Sequence, residues 1–161
     1  MTWTLTGNLE EYVAAVADFL RSRPVQNTIQ LSVAEILRAR GASAYGEAAP
    51  LFGWWRSGGG EISAALLHTP PYPLLFTRLP QRSAVPLAEA LASCGRQLPG
   101  VNAEEDDAAE FAAAWSRLTG ASAQESLRSR LFRLEQVQPP TPGPRGAARV
   151  ATTADRALLE S

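Results

Sequence analysis

The sequence predicts an α/β (α+β) domain: a mixed, mostly antiparallel central sheet flanked by about four helices. Three observations predict it. Two consecutive stretches near the start carry apolar residues at helical spacing. Between Leu51 and Leu79 that spacing gives way to short apolar runs divided by strong turn signals. Those runs are too apolar to leave one face in water, so helices must cover the sheet.

Taken in order, Trp3 to Thr6 alternates apolar and β-branched residues and reads as a short first strand. Asn8 then caps a helix, with Glu11 three residues on as in a capping box, and Leu9, Tyr12, Val13, Val16, Phe19 and Leu20 share one face. Pro24 separates it from a second helix, in which Ile29, Val33, Ile36 and Leu37 form the stripe and Gly41 gives the stop. Leu51 to Arg56, Ile62 to His68 and Leu74 to Leu79 read as three strands of an antiparallel meander. They are divided by Ser57-Gly58-Gly59-Gly60 and by Pro70-Pro71-Tyr72-Pro73.

Ala84 to Ser93 reads as a third helix with Ser83 as cap, Leu87 and Leu91 inward and Gly95 as terminator. A short strand is expected at Leu98 to Val101. Asn102 and Glu105 then open a fourth helix whose stripe is Ala108, Phe111, Trp115 and Leu118 and whose end is Gly120. Leu127 to Val137 mixes Leu, Phe, Arg and Val without clean alternation and reads as a long last strand, with a helical turn as the weaker option.

Composition narrows the function classes. With 45% hydrophobic and 19% charged residues in 161, the chain can bury one core of ordinary size. A net charge of −1 without a basic stripe argues against nucleic acid, although all 15 basic residues are arginine. The one cysteine, Cys94, excludes an internal disulfide, and with the single His68 it cannot build a structural zinc site, so no metal is expected. No signal peptide and no apolar run of spanning length is present, which predicts a cytoplasmic location.

After Val137 the pattern restarts. Residues 139–146 are a Pro/Gly linker, and Arg149-Val150-Ala151-Thr152-Thr153-Ala154-Asp155 reads as a strand followed by a helix cap, with residues 147–161 as the start of a second domain. The order strand, helix, helix, three antiparallel strands, helix, strand, helix, strand resembles the core of the GNAT acyltransferase superfamily across Trp3 to Val137. The restart looks like the Arg-x-Ala-x-x-x-Asp opening of many of its domains, with Val150 and Ala151 in the strand. The pattern Leu127-Arg128-Ser129-Arg130-Leu131-Phe132-Arg133-Leu134, followed by Pro-rich sequence and this restart, resembles tandem actinobacterial members in which a degenerate first domain, here residues 1–138, precedes a catalytic one. Within the GNAT pattern, a loop Gln/Arg-x-x-Gly-x-Gly/Ala after the fourth strand holds the acyl-CoA pyrophosphate at a helix N-terminus. Here that stretch is Leu79-Pro80-Gln81-Arg82-Ser83-Ala84-Val85-Pro86. Arg82 can stand in for the leading basic residue, but the glycines are absent and Pro86 removes a donor.

The resemblance implies the N-terminal, non-catalytic part of an N-acetyltransferase that moves an acetyl or acyl group from acyl-CoA to an amine, with the catalytic domain beyond Ser161. Acetyl-CoA is the implied cofactor of the whole protein, not of this segment. The implied partners are the C-terminal catalytic domain of the same protein and a small-molecule or peptide amine, with no nucleic acid and no membrane; a homo-oligomer is compatible. Two alternatives stand beside it: a stand-alone interaction or ligand-sensing module with this fold, and a self-contained acetyltransferase with a non-standard cofactor loop.

No catalytic or cofactor-binding residue is assigned from the sequence, and each candidate has a structural reading. His68 titrates near neutrality but lacks an orienting carboxylate. Cys94 reads as a small apolar filler near a helix end. Trp54 and Trp55 point to opposite sheet faces, one into the core and the other toward a cleft or interface. Gly58-Gly59-Gly60 is a hairpin turn, lacking the Lys-Ser/Thr of a phosphate loop. Glu104, Glu105, Asp106 and Asp107 are solvated charge at a helix start rather than a metal site. Glu61 faces solvent, and Arg128, Arg130 and Arg133 form a basic group suited to docking the second domain.

Overall fold

The structure, a computed structural model, describes residues 1–143 and 145–160. Pro144, in the expected linker, and Ser161, the end of the expected restart, lie outside the described residues. The chain divides into two compact units, Met1–Leu131 and Phe132–Ser161.

The first unit is an α/β sandwich around a five-stranded sheet in the order β1-β2-β3-β4-β5. Its strands are β1 (Thr2–Thr6), β2 (Leu51–Arg56), β3 (Ile62–His68), β4 (Leu74–Phe76) and β5 (Val101–Asn102). Neighbours run antiparallel except for β4 and β5, which are parallel, with Leu74 opposite Val101. A parallel pair needs a crossover, and the helix α3 (Ala84–Ser93) supplies it.

Helices α1 (Leu9–Arg21) and α2 (Thr28–Arg40) cover one face of the sheet, where Tyr12, Val16, Leu20, Val33 and Leu37 meet Phe52, Trp54, Ala65 and Leu67. On the other face α3 and α4 (Glu105–Thr119) bring Leu87, Leu91 and Phe111 onto Trp3, Trp55, Leu66, Leu74 and Phe76. Burial on both faces explains why β2 and β3 read as continuous apolar runs. Gly53 is fixed by close approach: a Cβ there would lie 2.7 Å from Leu5 Cδ2 and 2.8 Å from the Thr4 carbonyl oxygen.

Local signals are realised in detail at the start of α1. The Asn8 side chain accepts from the Glu10 and Glu11 amides. The capping box closes through a relay, because Glu11 accepts from the Thr6 hydroxyl at 2.6 Å while that hydroxyl accepts from the Asn8 amide.

Several expectations are corrected. In α2 the buried residues are Gln30, Val33, Ala34 and Leu37, whereas Ile29 and Ile36 are exposed: the helix is rotated toward α1, and the apolar pattern alone fits both orientations. β4 ends at Phe76, after which the Thr77 hydroxyl, not a backbone carbonyl, accepts from the Ala65 amide. The fifth strand is Val101–Asn102, so Asn102 is a strand residue, and the position before α4 is held by Glu104, whose side chain makes no capping bond. Along α4, Phe111 and Ala114 are buried and Leu118 is exposed. Leu127 to Val137 is not a strand; its apolar side chains are exposed. A strand persists only where its backbone groups find a partner, and among the described residues this segment pairs with none.

In the second unit a 3-10 turn over Thr153–Asp155 leads into the short helix α5 (Arg156–Leu159). Thr152 and Asp155 form a reciprocal capping box, and Arg149 grips the Asp155 carboxylate through both terminal nitrogens. The Arg149 ion pair, then the Thr152 donors, hold the Asp155 carboxyl well below the usual carboxylate range.

Candidate functional site

The segment matching the cofactor loop connects β4 to α3. Two of its amides make internal bonds. The Leu79 amide donates to Asp107 Oδ2 at 2.9 Å, and the Ser83 amide and hydroxyl both donate to the Pro80 carbonyl, at 3.1 and 2.7 Å. The Ser83 side chain, needed there, does not cap α3. Its carbonyl accepts from Trp3 Nε1 at 3.1 Å, tying the loop to β1. Pro80 and Pro86 have no amide hydrogen to offer.

Arg82 is exposed and has φ of 65°, the only positive φ outside glycine among the described residues. That conformation suits glycine. The loop therefore bends at Arg82 as a glycine would, with the Leu79 amide bonded to the Asp107 carboxylate of α4 and the Ser83 amide to the Pro80 carbonyl.

The opposite end of the same sheet is built differently. The last turn of α3 ends in a Schellman arrangement: Gly95 has φ of 66°, its amide donates to Ala92, and the Arg96 amide donates to Leu91. This fixes Arg96, whose Nη2 donates to the Ala49 carbonyl at 2.6 Å. His68, at the end of β3 and opposite Leu51, is fully buried on the α3 side of the sheet. Among the described residues neither ring nitrogen of His68 has a hydrogen-bond partner, nor does the buried Arg96 Nε.

Burial first, then repulsion from Arg96, holds the imidazole below its ordinary value; the Tyr72 backbone acts weakly the other way. The loops flanking the ring are packed together. Tyr45 meets Tyr72 edge-on at 5.8 Å, and Gly46 lies so close to the Pro70 carbonyl that a Cβ would approach it to 2.7 Å.

The remaining candidates separate. Trp54 and Trp55 do face opposite sides, yet both are core residues, so neither lines a cleft. Gly58 to Gly60 close the β2–β3 hairpin, with the Ser57 amide donating to Glu61 and the Gly60 amide to Ser57. Cys94 is exposed rather than a core filler. Of the acidic run, Asp107 anchors Leu79 and Glu105 pairs with Arg128 at 2.9 Å, which also holds Glu125 bidentately. Arg128 is thus engaged within its own unit, while Arg130 and Arg133 are exposed. Among the described residues no group of His, Cys, Asp and Glu is placed to hold a metal ion, and no helix is long and apolar enough to cross a membrane.

Sequence reasoning missed Arg96, Asp107 and Trp3. For Arg96 a signal existed, since the residue following a C-terminal glycine is pinned by the helix end; the other two act over 28 and 80 positions and leave no local trace.

On the α1–α2 side a concavity of about 440 Å³ is lined by Asn8, Leu9, Leu37, Pro50 and Phe52. Its polar side chain, Asn8, is already committed to the α1 cap. Comparison with protein-family models, with curated proteins and with solved structures finds no match.

Proposed function

We propose that this chain is the N-terminal, non-catalytic part of an N-acyltransferase of GNAT-like organisation, serving as a scaffold for a catalytic domain that carries the acyl-CoA chemistry. Two features support the GNAT-like part of the reading: the parallel β4–β5 pair bridged by α3 at the end of an antiparallel meander, and the Arg149–Thr152–Asp155 helix opening, which resembles the strand-to-helix passage at Thr6–Asn8–Glu11. The non-catalytic part rests on one observation above all, the Asp107 carboxylate bonded to the Leu79 amide in the loop where a pyrophosphate would need free donors.

In this reading acetyl-CoA belongs to the following domain and the amine acceptor is bound there or beside it. The exposed apolar residues Leu127, Leu131, Phe132, Leu134 and Val137 then supply surface for that domain to cover. The reading frame beyond Ser161 tests the proposal. A downstream domain with the glycine-bearing loop is expected, and a stop codon directly after Ser161 contradicts the tandem arrangement. The alternative of a stand-alone ligand-sensing module draws support from the concavity beside Leu37 and Phe52, and a saturable ligand at that site in the isolated chain would favour it.

A further inference from the structure

The His68 end of the sheet holds three buried polar atoms with no partner among the described residues, and the charge acting on them is positive. We propose that His68 is a proton-operated latch: buried and neutral, it lets the loops 42–50 and 69–73 close over the end of β3, and on taking up a proton it drives them open.

An imidazolium has two N–H donors and a full charge, and at this position only the Tyr72 backbone acts weakly in its favour, while the neighbouring charge, Arg96, opposes it. The segments around the ring offer no carboxylate in contact. Arg96 is the cation that follows α3, Tyr45 and Tyr72 contribute rings from the two loops, and Glu47 on the first loop and Glu89 on α3 are exposed. β4 carries only Leu74, Leu75 and Phe76, and Arg56 lies at the other end of β2.

The protonated ring must reach water, and the shortest route is through the cover. That cover is thin and separable: Ala49, Pro71 and Tyr72 are exposed, and the loops meet through one edge-on ring pair and the Gly46–Pro70 approach. By contrast the strands beneath, with Ala64 to Leu67 fully buried, are the most protected part of the fold. The open form takes the proton at the ordinary imidazole value and the closed form only at lower pH. Opening is therefore favoured as pH falls below that value, by about tenfold per pH unit within the window between the two titrations, the slope of a single proton.

Hydrogen exchange on the full chain, corrected for the intrinsic pH dependence of exchange, tests this alongside an NMR titration of the single histidine. Between about pH 7.5 and pH 5.5, where an unshifted imidazole changes charge, amides 44–49 and 72 are expected to lose protection while Ala64 to Leu67 keep theirs, and the ring is expected to titrate below its ordinary value. His68→Asn should remove the pH dependence. Arg96→Met, which leaves the ring in place, should raise its titration point and weaken the response. A ring that titrates at or above the ordinary value overturns the latch. So does loss of protection that spreads equally to β3, or a pH response unchanged in Arg96→Met.

Discussion

The two ends of this sheet solve the same problem in opposite ways. Where β4 runs into α3, Leu79, Pro80, Ser83, Asp107 and Trp3 satisfy one another, and the result is a rigid seam between β1, α3 and α4. Where β3 runs into the 69–73 loop, His68 is buried beside the half-buried Arg96, and among the described residues both ring nitrogens and Arg96 Nε lack hydrogen-bond partners. A matched buried network fixes a structure, and an unmatched one marks where a change of charge has the most leverage. The contrast assigns the first end to architecture and the second to response.

Substitutions can break either side of this comparison. The largest effect is expected from Trp3→Ala at the matched end, because it removes both a buried indole and the bond to Ser83. A loss of about 3–5 kcal/mol in denaturant unfolding is expected, and Trp3→Phe should cost only about 1 kcal/mol, the net worth of the hydrogen bond. Asp107→Ala leaves the Leu79 amide without its acceptor and should cost about 1–3 kcal/mol, with Asp107→Asn milder because a side-chain oxygen remains.

At the unmatched end, Gly46→Ala forces a methyl against the Pro70 carbonyl. About 1–3 kcal/mol is expected, and the loss should appear first as exchange in the flanking loops rather than in the strands. Acid unfolding gives a smaller, signed effect. Because the folded state holds His68 below its ordinary value, the unfolded chain takes the proton first, so this contribution to stability is intact above the ordinary imidazole pH and declines as pH falls below it. In His68→Asn the melting temperature should be flat over that window. The smallest effect belongs to Arg82→Gly, which relieves a left-handed backbone and is expected to be stabilising by up to about 1 kcal/mol, read as a shift in the unfolding midpoint.

What was legible in the sequence follows the range of the forces involved. The Asn8 cap, the Gly58–Gly60 hairpin and the bounds of β2, β3 and α3 are set by residues within a few positions of each other, and they were readable. The facing of α2 was not, since Ile29 and Ile36 extend the same apolar stripe and only packing against α1 decides which edge is buried. Leu127 to Val137 has strand composition without a strand partner.

At the candidate site, the missing glycines of the β4–α3 loop were visible, whereas the glycine-like bend at Arg82 was not. That Asp107 accepts from the Leu79 amide was not visible, and neither was the burial of His68 beside Arg96, because each depends on helices returning across the sheet.

The central claim, that the matched end of the sheet excludes an acyl-CoA, is tested most directly by calorimetric titration of the folded chain with acetyl-CoA. The account predicts no saturable heat up to millimolar cofactor. Saturable binding in the micromolar range, lost in competition with free CoA, would contradict it.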